Sequence, residues 1–288
     1  MQDGVVAITG AGGMIGRETV RALAPGRGLR LLDIAPIEAA PEAGIEYRRA
    51  DVMAIDTLRE AFKGCTAVVH LAALQIHPKE DEVFALNTAG TWNVLQAARE
   101  AGIRKVVLLS SESAVGVMNL SDAPSACPLY LPIDELHPLL PVDGYGVSKL
   151  VVEELARAFV RRGDMQIVAL RPTSVYVPGM EGEMRARREA GYDPWFWLYV
   201  EGADVAQAIR LALDYQGPAY DRFFIGARDM YSPIPTLELI AQKFGRLPEI
   251  RNRLLYARDP HASIYDIGHA ERVLGFEPQS DWRRFSGA

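Results

Sequence analysis

Residues 7–20, AITGAGGMIGRETV, decide how the rest of the chain is read. An apolar run from Val5 to Thr9 ends in a cluster of glycines, and a helical pattern from Ile15 to Ala24 follows. Gly10, Gly13 and Gly16 stand at the spacing TGxxGxxG, whereas GxGxxG fails because Ile15 takes its last place. Glycine lets the main chain turn tightly and approach a pyrophosphate, and the free amides at the helix start, around Met14 and Ile15, complete an anion cradle. A second strand, LRLLDI at 29–34, ends in Asp33, about 20 residues beyond the glycines, where a carboxylate accepts hydrogen bonds from an adenosine ribose. The same charge repels the extra phosphate of NADP, so NAD is the expected cofactor.

Working outward, apolar runs of strand length recur at Ile45 to Arg49, Ala67 to Leu71, Val106 to Ser110 and Ile167 to Arg171, separated by helical patterns at Val83 to Ala101 and Val147 to Arg161. Strands alternating with helices predict an α/β fold whose parallel sheet is covered on both faces. Beyond Pro172 the rhythm breaks into a segment rich in Gly, Arg and aromatics up to Tyr199, then resumes with a helix at Asp204 to Asp214 and a strand at Arg222 to Gly226. Helices are expected at Thr236 to Phe244 and Tyr265 to Leu274. The predicted organisation is a cofactor domain over 1–172 with a return segment at about 200–232, and a small lobe from 173–199 and 233–288. A proline-rich connection between Ser113 and Pro141 is expected to line or cover the site.

With 288 residues, 49% of them hydrophobic, the chain can bury a large core. A net charge of −6 lacks the basic footprint of a nucleic-acid binder. Two cysteines, Cys65 and Cys127, form no CxxC pair, so no metal site is expected and a reducing compartment is. With no long apolar window and no leader pattern, the expectation is a soluble cytoplasmic protein without a membrane partner.

Several motifs in order then resemble the extended short-chain dehydrogenase/reductase family, also called NAD-dependent epimerase/dehydratases: TGAGGMIG, Asp51-Val52, HLAA at 70–73, Asn87 in NTAGTWNVL, LLSSESAVG at 108–116, YGVSK at 145–149, RPTSVY at 171–176, YVEGADVAQAI at 199–209 and HAERVLGFEP near the end. The resemblance implies a Rossmann-type doubly wound sheet with a small C-terminal substrate lobe. It implies that Asp51 and Val52 flank the adenine, that Leu71, Ala72 and Ala73 pass along the cofactor, and that Asn87 sits near the proton path.

Oxidising a secondary alcohol requires a hydride acceptor and a base for the hydroxyl proton. Tyrosine, with a pKa of about 10, is a poor base at neutral pH unless a cation favours the phenolate. Tyr145 and Lys149 lie one helical turn apart, so Tyr145 is expected as the base, with Lys149 tuning it and, by the resemblance, holding the nicotinamide ribose. Aligned on Gly116, Ser111 takes the place of the hydroxyl that orients the substrate oxygen, although the tyrosine usual in that signature is absent, and Ser113 or Glu112 stands close enough to intrude.

Ser174 and Val177 replace the Asn and Gly of the nucleotide-sugar enzymes' RPxNVYGP, and the C-terminal lobe is short. Both departures favour a small sugar, a sugar acid or a polyol, and the pattern is most similar to uronate dehydrogenases. In that comparison Ser174 and Arg185 contact substrate, a guanidinium pairing with a carboxylate, while Gln75 and Glu112 occupy further substrate positions. The alternative is an epimerase or dehydratase that retains its NAD. The resemblance implies a homodimer through the helices carrying Asn87 and Tyr145, with Val151, Val152, Leu155 and Phe159 as candidate contacts.

Overall fold

Alternation along the strands sets the layers. In a computed structural model describing residues 4–37, 44–75, 79–117, 127–191 and 197–286, Val6, Ile8, Leu29, Leu31, Val107, Leu109, Val168 and Leu170 pack into one core. Their neighbours Ala7, Leu32, Val106, Leu108, Ile167 and Ala169 pack into another on the opposite face. Successive side chains of a strand point to opposite faces, so a run that is apolar at every position must be covered twice.

The elements run β1 (Val5–Thr9), α1 (Met14–Leu23), β2 (Gly28–Asp33), β3 (Ile45–Arg49), α2 (Ile55–Ala61), β4 (Cys65–His70), α3 (Glu80–Glu100), β5 (Lys105–Leu109), β6 (Tyr130–Leu131) and α4 (Gly144–Val160). They continue with β7 (Gln166–Pro172), β8 (Val175–Tyr176), α5 (Glu181–Glu189), β9 (Val200–Glu201), α6 (Gly202–Asp214), β10 (Tyr220–Ile225), α7 (Thr236–Phe244), β11 (Glu249–Ile250), α8 (Arg253–Arg258), α9 (Gly268–Leu274) and α10 (Arg283–Ser286). Seven strands form one parallel sheet in the order β10-β7-β5-β4-β1-β2-β3. The order reverses between β1 and β4, and in such sheets the crevice beyond the carboxyl ends at that point is where ligands bind. Val94, Leu95, Val152 and Phe159 bring α3 and α4 onto one face, and Val205, Ile209 and Ala212 bring α6 onto the other.

Three local outcomes differ from the sequence reading. The segment after Pro172 is not irregular throughout: β8 pairs with β9, and the charged stretch forms α5, with Met184 its buried residue. The helix expected from Tyr265, α9, starts at Gly268 instead because Tyr265 is extended against Ile133. In the proline-rich connection, β6 pairs with β11, so the C-terminal segment holds this stretch in place; residues 118–126 lie outside the described residues. No helix among the described residues is long and apolar enough to cross a membrane.

Candidate active site

The glycine turn is shaped by close approach. Gly10 has φ +68°, and a Cβ there would lie 2.7 Å from the Ala72 nitrogen. A Cβ at Gly16 would meet the Gly10 oxygen at 2.3 Å, so only glycine lets α1 start this close to β1. Helix α1 has Gly13 at its N-cap and no side-chain cap, which leaves the first-turn amides of Met14 and Ile15 for a ligand. Asp33 turns its carboxylate to this loop: Gly12 N–H donates to Oδ2 at 3.0 Å and Ala35 N–H to Oδ1 at 3.2 Å. These residues fit a dinucleotide, with the pyrophosphate over the turn and a ribose at Asp33. We expect Asp33→Ala to weaken NAD binding about 10-fold, the cost of one charge-assisted hydrogen bond, and to narrow the preference over NADP. Calorimetric titration with both cofactors tests it; unchanged NAD affinity would remove Asp33 from the ribose site.

Asp51 is exposed, and its carboxylate accepts from Met53 N–H at 2.8 Å, shaping the turn after β3. Val52 packs under α3, where a Cβ on Gly90 would strike it at 2.9 Å, and Asn93 donates to its carbonyl.

Two buried side chains hold the turn Leu71 to Leu74 after β4. Asn87 Nδ2 donates to the Leu74 carbonyl (2.9 Å) and to Ser148 Oγ (3.0 Å), while its Oδ1 accepts from Leu74 N–H. Both of its donor protons are therefore spent on tying this turn to α4. His70, unremarked in the sequence beyond its motif, sits between Thr9 Oγ1 (2.8 Å) and Thr91 Oγ1 (3.0 Å). Thr91 already donates to the Asn87 carbonyl, so it accepts from His70 Nε2, and Nδ1 accepts from Thr9. Thr9 Oγ1 in turn accepts from the Leu71 and Ala72 amides. Burial first, and the Lys149 charge second, push the imidazole down to about 3, which keeps this tautomer neutral.

Ser111 lies just past β5, and Tyr145 and Lys149 lie in the first turns of α4, which Asp143 caps by accepting from Gly146 N–H at 2.9 Å. Lys149 is buried, its Nζ donating to the Leu109 carbonyl at 2.9 Å and standing 5.5 Å from the centre of the Tyr145 ring. Burial lowers the ammonium to about 8. Tyr145 is half-buried, and the Ser111 hydroxyl acts on its phenol. Its phenol is pushed up rather than down: desolvation raises it, Ser111 counters, and Glu112 and Asp143 add to the rise. The expected ionised phenol is therefore not what this arrangement produces by itself.

Glu112 and Ser113 are also buried beside Ser111. Gln75 is exposed at the end of the β4 turn, and Ser174 is half-buried between β7 and β8. Arg185 lies on α5 beside a 260 Å³ pocket shared with Met184, Arg188, Tyr231 and Trp282; Ser111, Tyr145 and Lys149 do not line it. The residues that sequence reasoning missed are His70 of β4, Thr9 of β1 and Thr91 of α3, which support the turn, and Tyr265, which reaches Glu112 from the C-terminal segment; Ser113, expected close enough to intrude, is bonded to Ser111. HLAA signalled the first of these; nothing local signals Tyr265.

The model of the NAD dependent epimerase/dehydratase family matches residues 6–192. The chain belongs to that family. It is therefore an NAD-dependent enzyme with the Rossmann-type fold the sequence led us to expect. L-arabinose 1-dehydrogenase (NAD(P)(+)) of Haloferax volcanii is 35% identical over 58% of this chain and 65% of its own length. A uronate dehydrogenase of Pseudomonas syringae pv. tomato is 29% identical over 57% of each chain, so the chain spans under two thirds of both relatives. Among solved structures, a short-chain dehydrogenase/reductase superfamily protein from Agrobacterium tumefaciens with bound NAD superposes with a TM-score of 0.74 at 26% identity, covering 98% of this chain and 95% of the other.

Proposed function

We propose that this family member is a dehydrogenase that oxidises a hydroxyl of a small sugar, a sugar acid resembling a uronate, or a polyol. The observation that carries this reading is the convergence of Ser111, Tyr145 and Lys149 at the carboxyl end of β5, beside the glycine cradle. Bound NAD supplies the hydride acceptor. Tyr145 takes the hydroxyl proton, Ser111 orients the substrate oxygen, and Lys149, fixed on Leu109, places positive charge beside the phenol and would hold the ribose of a bound cofactor. Asn87 and His70 keep the Leu71 to Leu74 turn in place beside them. The activities named for the arabinose and uronate enzymes support a small sugar substrate, with Gln75, Glu112, Ser174 and Arg185 as the proposed contacts.

Both cysteines are free and buried, which suits a reducing compartment such as the cytoplasm. Self-association would use the faces of α3 and α4 left half-open at Phe84, Trp92 and Val151, since Val152 and Phe159 are spent on the protein's own core and Leu155 packs against it.

A panel of pentoses, hexoses, uronates, aldonates and polyols with NAD, followed at the absorbance of NADH, tests the reading. At least one member is expected to give multiple turnovers with free NADH. Hydride returned to the substrate without NADH release would select the family's other chemistry, epimerisation or dehydration with retained NAD.

A further inference from the structure

Cationic side chains stand on two sides of the ribose site at Asp33. Arg17, in the first turn of α1, folds back over the glycine turn, its Nη1 donating to the Gly12 carbonyl at 2.5 Å. Asp33 holds the same residue by its other end, accepting from Gly12 N–H at 3.0 Å. Guanidinium and carboxylate are thus bridged by a single glycine.

Arg49 approaches from the next strand. It ends β3 and is the register partner of Asp33, which ends β2. Paired residues of neighbouring strands face the same side of a sheet, and alternate residues along each strand share that side. Here it is the α1 side, because Leu29 and Leu31 of β2 lie in the core there and Ile45 of β3 packs against it. Tyr47 donates its hydroxyl to the Ala35 carbonyl at 2.8 Å, which ties β3 to the exit of β2 on that side. Both arginines are exposed, and among the described residues neither is ion-paired, whereas Arg21 pairs with Glu18 and Arg48 with Glu46.

We propose that Arg17 and Arg49 receive the 2′-phosphate of NADP, so that the cofactor site accepts both dinucleotides. The inference rests on the adenosine ribose lying at Asp33, and it is independent of which substrate is oxidised.

A carboxylate alone would turn a 2′-phosphate away by like charge at close range. Two guanidinium groups around the same spot reverse the local balance. A guanidinium sets paired N–H donors against phosphate oxygens, and in dinucleotide folds a nearby arginine accommodates this group. Arg49 has all its donors available among the described residues, and Arg17 spends one on Gly12. Asp33 still accepts from the 2′-hydroxyl of NAD, so NAD stays preferred; the arginines set how steep that preference is.

Calorimetric titration of the whole chain with NAD, NADP and 2′,5′-ADP tests this without substrate or turnover. Wild type is expected to bind NADP within about 10²-fold of NAD, the loss of one hydrogen bond to a charged group. Arg49→Gln should weaken NADP and 2′,5′-ADP about 10-fold, the loss of one charge-assisted contact, and leave NAD within about twofold. Arg49→Lys should recover part of the loss, since it restores the charge without the fork. Arg17→Gln should weaken NADP more than NAD. Added salt should weaken NADP more steeply than NAD because the arginines are exposed, and Arg49→Gln should reduce that difference.

The proposal is overturned if wild type fails to bind 2′,5′-ADP at millimolar concentration or if Arg49→Gln leaves NADP affinity unchanged. It is equally overturned if Arg49→Gln weakens NAD and NADP alike, which would assign Arg49 to the shared adenosine. If any of these occurs while Asp33→Ala lowers NAD affinity as expected, the ribose site stands and the arginine pair alone falls. If Asp33→Ala leaves NAD affinity unchanged, the placement of the ribose falls and the proposal with it.

Discussion

Tyr145→Phe is expected to lower kcat by at least about 10³-fold while leaving NAD affinity within about twofold of wild type. The substitution removes one oxygen and keeps the ring over which Lys149 stands, so packing at the start of α4 is preserved. Positioned acid–base groups contribute typically about 10²–10⁴-fold, and among the described residues the groups bonded to Ser111, Ser113 and through it Glu112, are buried. Among the cofactor residues, Gly10 follows β1, Gly16 lies in α1 and Asp33 ends β2, and none of them depends on the phenol. Stopped-flow hydride transfer together with NAD titration separates the two quantities. Wild-type turnover in the variant would exclude Tyr145 from the reaction.

Arg171→Met is expected to destabilise the protein by about 3–5 kcal/mol at pH 7, the range for removing one member of a buried ion pair. Arg171 and Glu153 are 1% and 0% exposed, joined by two bonds of 2.7 and 2.8 Å. Ser110 and Tyr220 also donate to the same carboxylate, at 2.7 and 3.1 Å. Burial works to raise the Glu153 carboxyl, but the Arg171 bonds and charge outweigh it and hold the group below its usual range. A depressed carboxyl stabilises the fold above its unfolded pKa and loses that contribution as pH falls through the folded one. Without the guanidinium the burial effect is left unopposed, so Glu153 should bind a proton more readily, and the deficit of the variant should shrink as pH is lowered from 7 to 5. Urea unfolding at the two pH values measures both effects. A variant within about 1 kcal/mol of wild type at pH 7 would show that the pair contributes little, and a deficit that grows on acidification would reverse the assigned sign.

What could be read from the sequence was what is encoded locally. The glycine turn, Asp33 and the spacing of Tyr145 and Lys149 each lie within one element or one connection, and the main strands announce themselves through apolar runs. Two-residue strands such as β8 and β9 carry no periodicity, so their pairing was invisible. The same holds for contacts fixed by the tertiary fold. Nothing near Glu112 indicates that Tyr265 will meet it, nor does the pattern of α4 separate a core-facing Glu153 from the solvent-facing Glu154 beside it. Val152 and Phe159 show the same limit, since an apolar stripe on a helix serves a sheet and a neighbouring subunit equally well, and here the sheet takes both. The direction of the Tyr145 shift also lay beyond the motif, because it depends on how deeply the phenol and its acidic neighbours are buried.

The contact between Glu112 and Tyr265 joins positions 153 apart in sequence, and β6 meets β11 across a similar span. A ribosome must therefore deliver nearly the whole polypeptide before the floor of the crevice can close. The cradle near the amino terminus leaves the ribosome first, but α1 packs against α6 and β1 shares its core with residues as late as Phe276, so it too waits for the later segments. Truncation anywhere before Tyr265 would remove the wall that shields Glu112 from water.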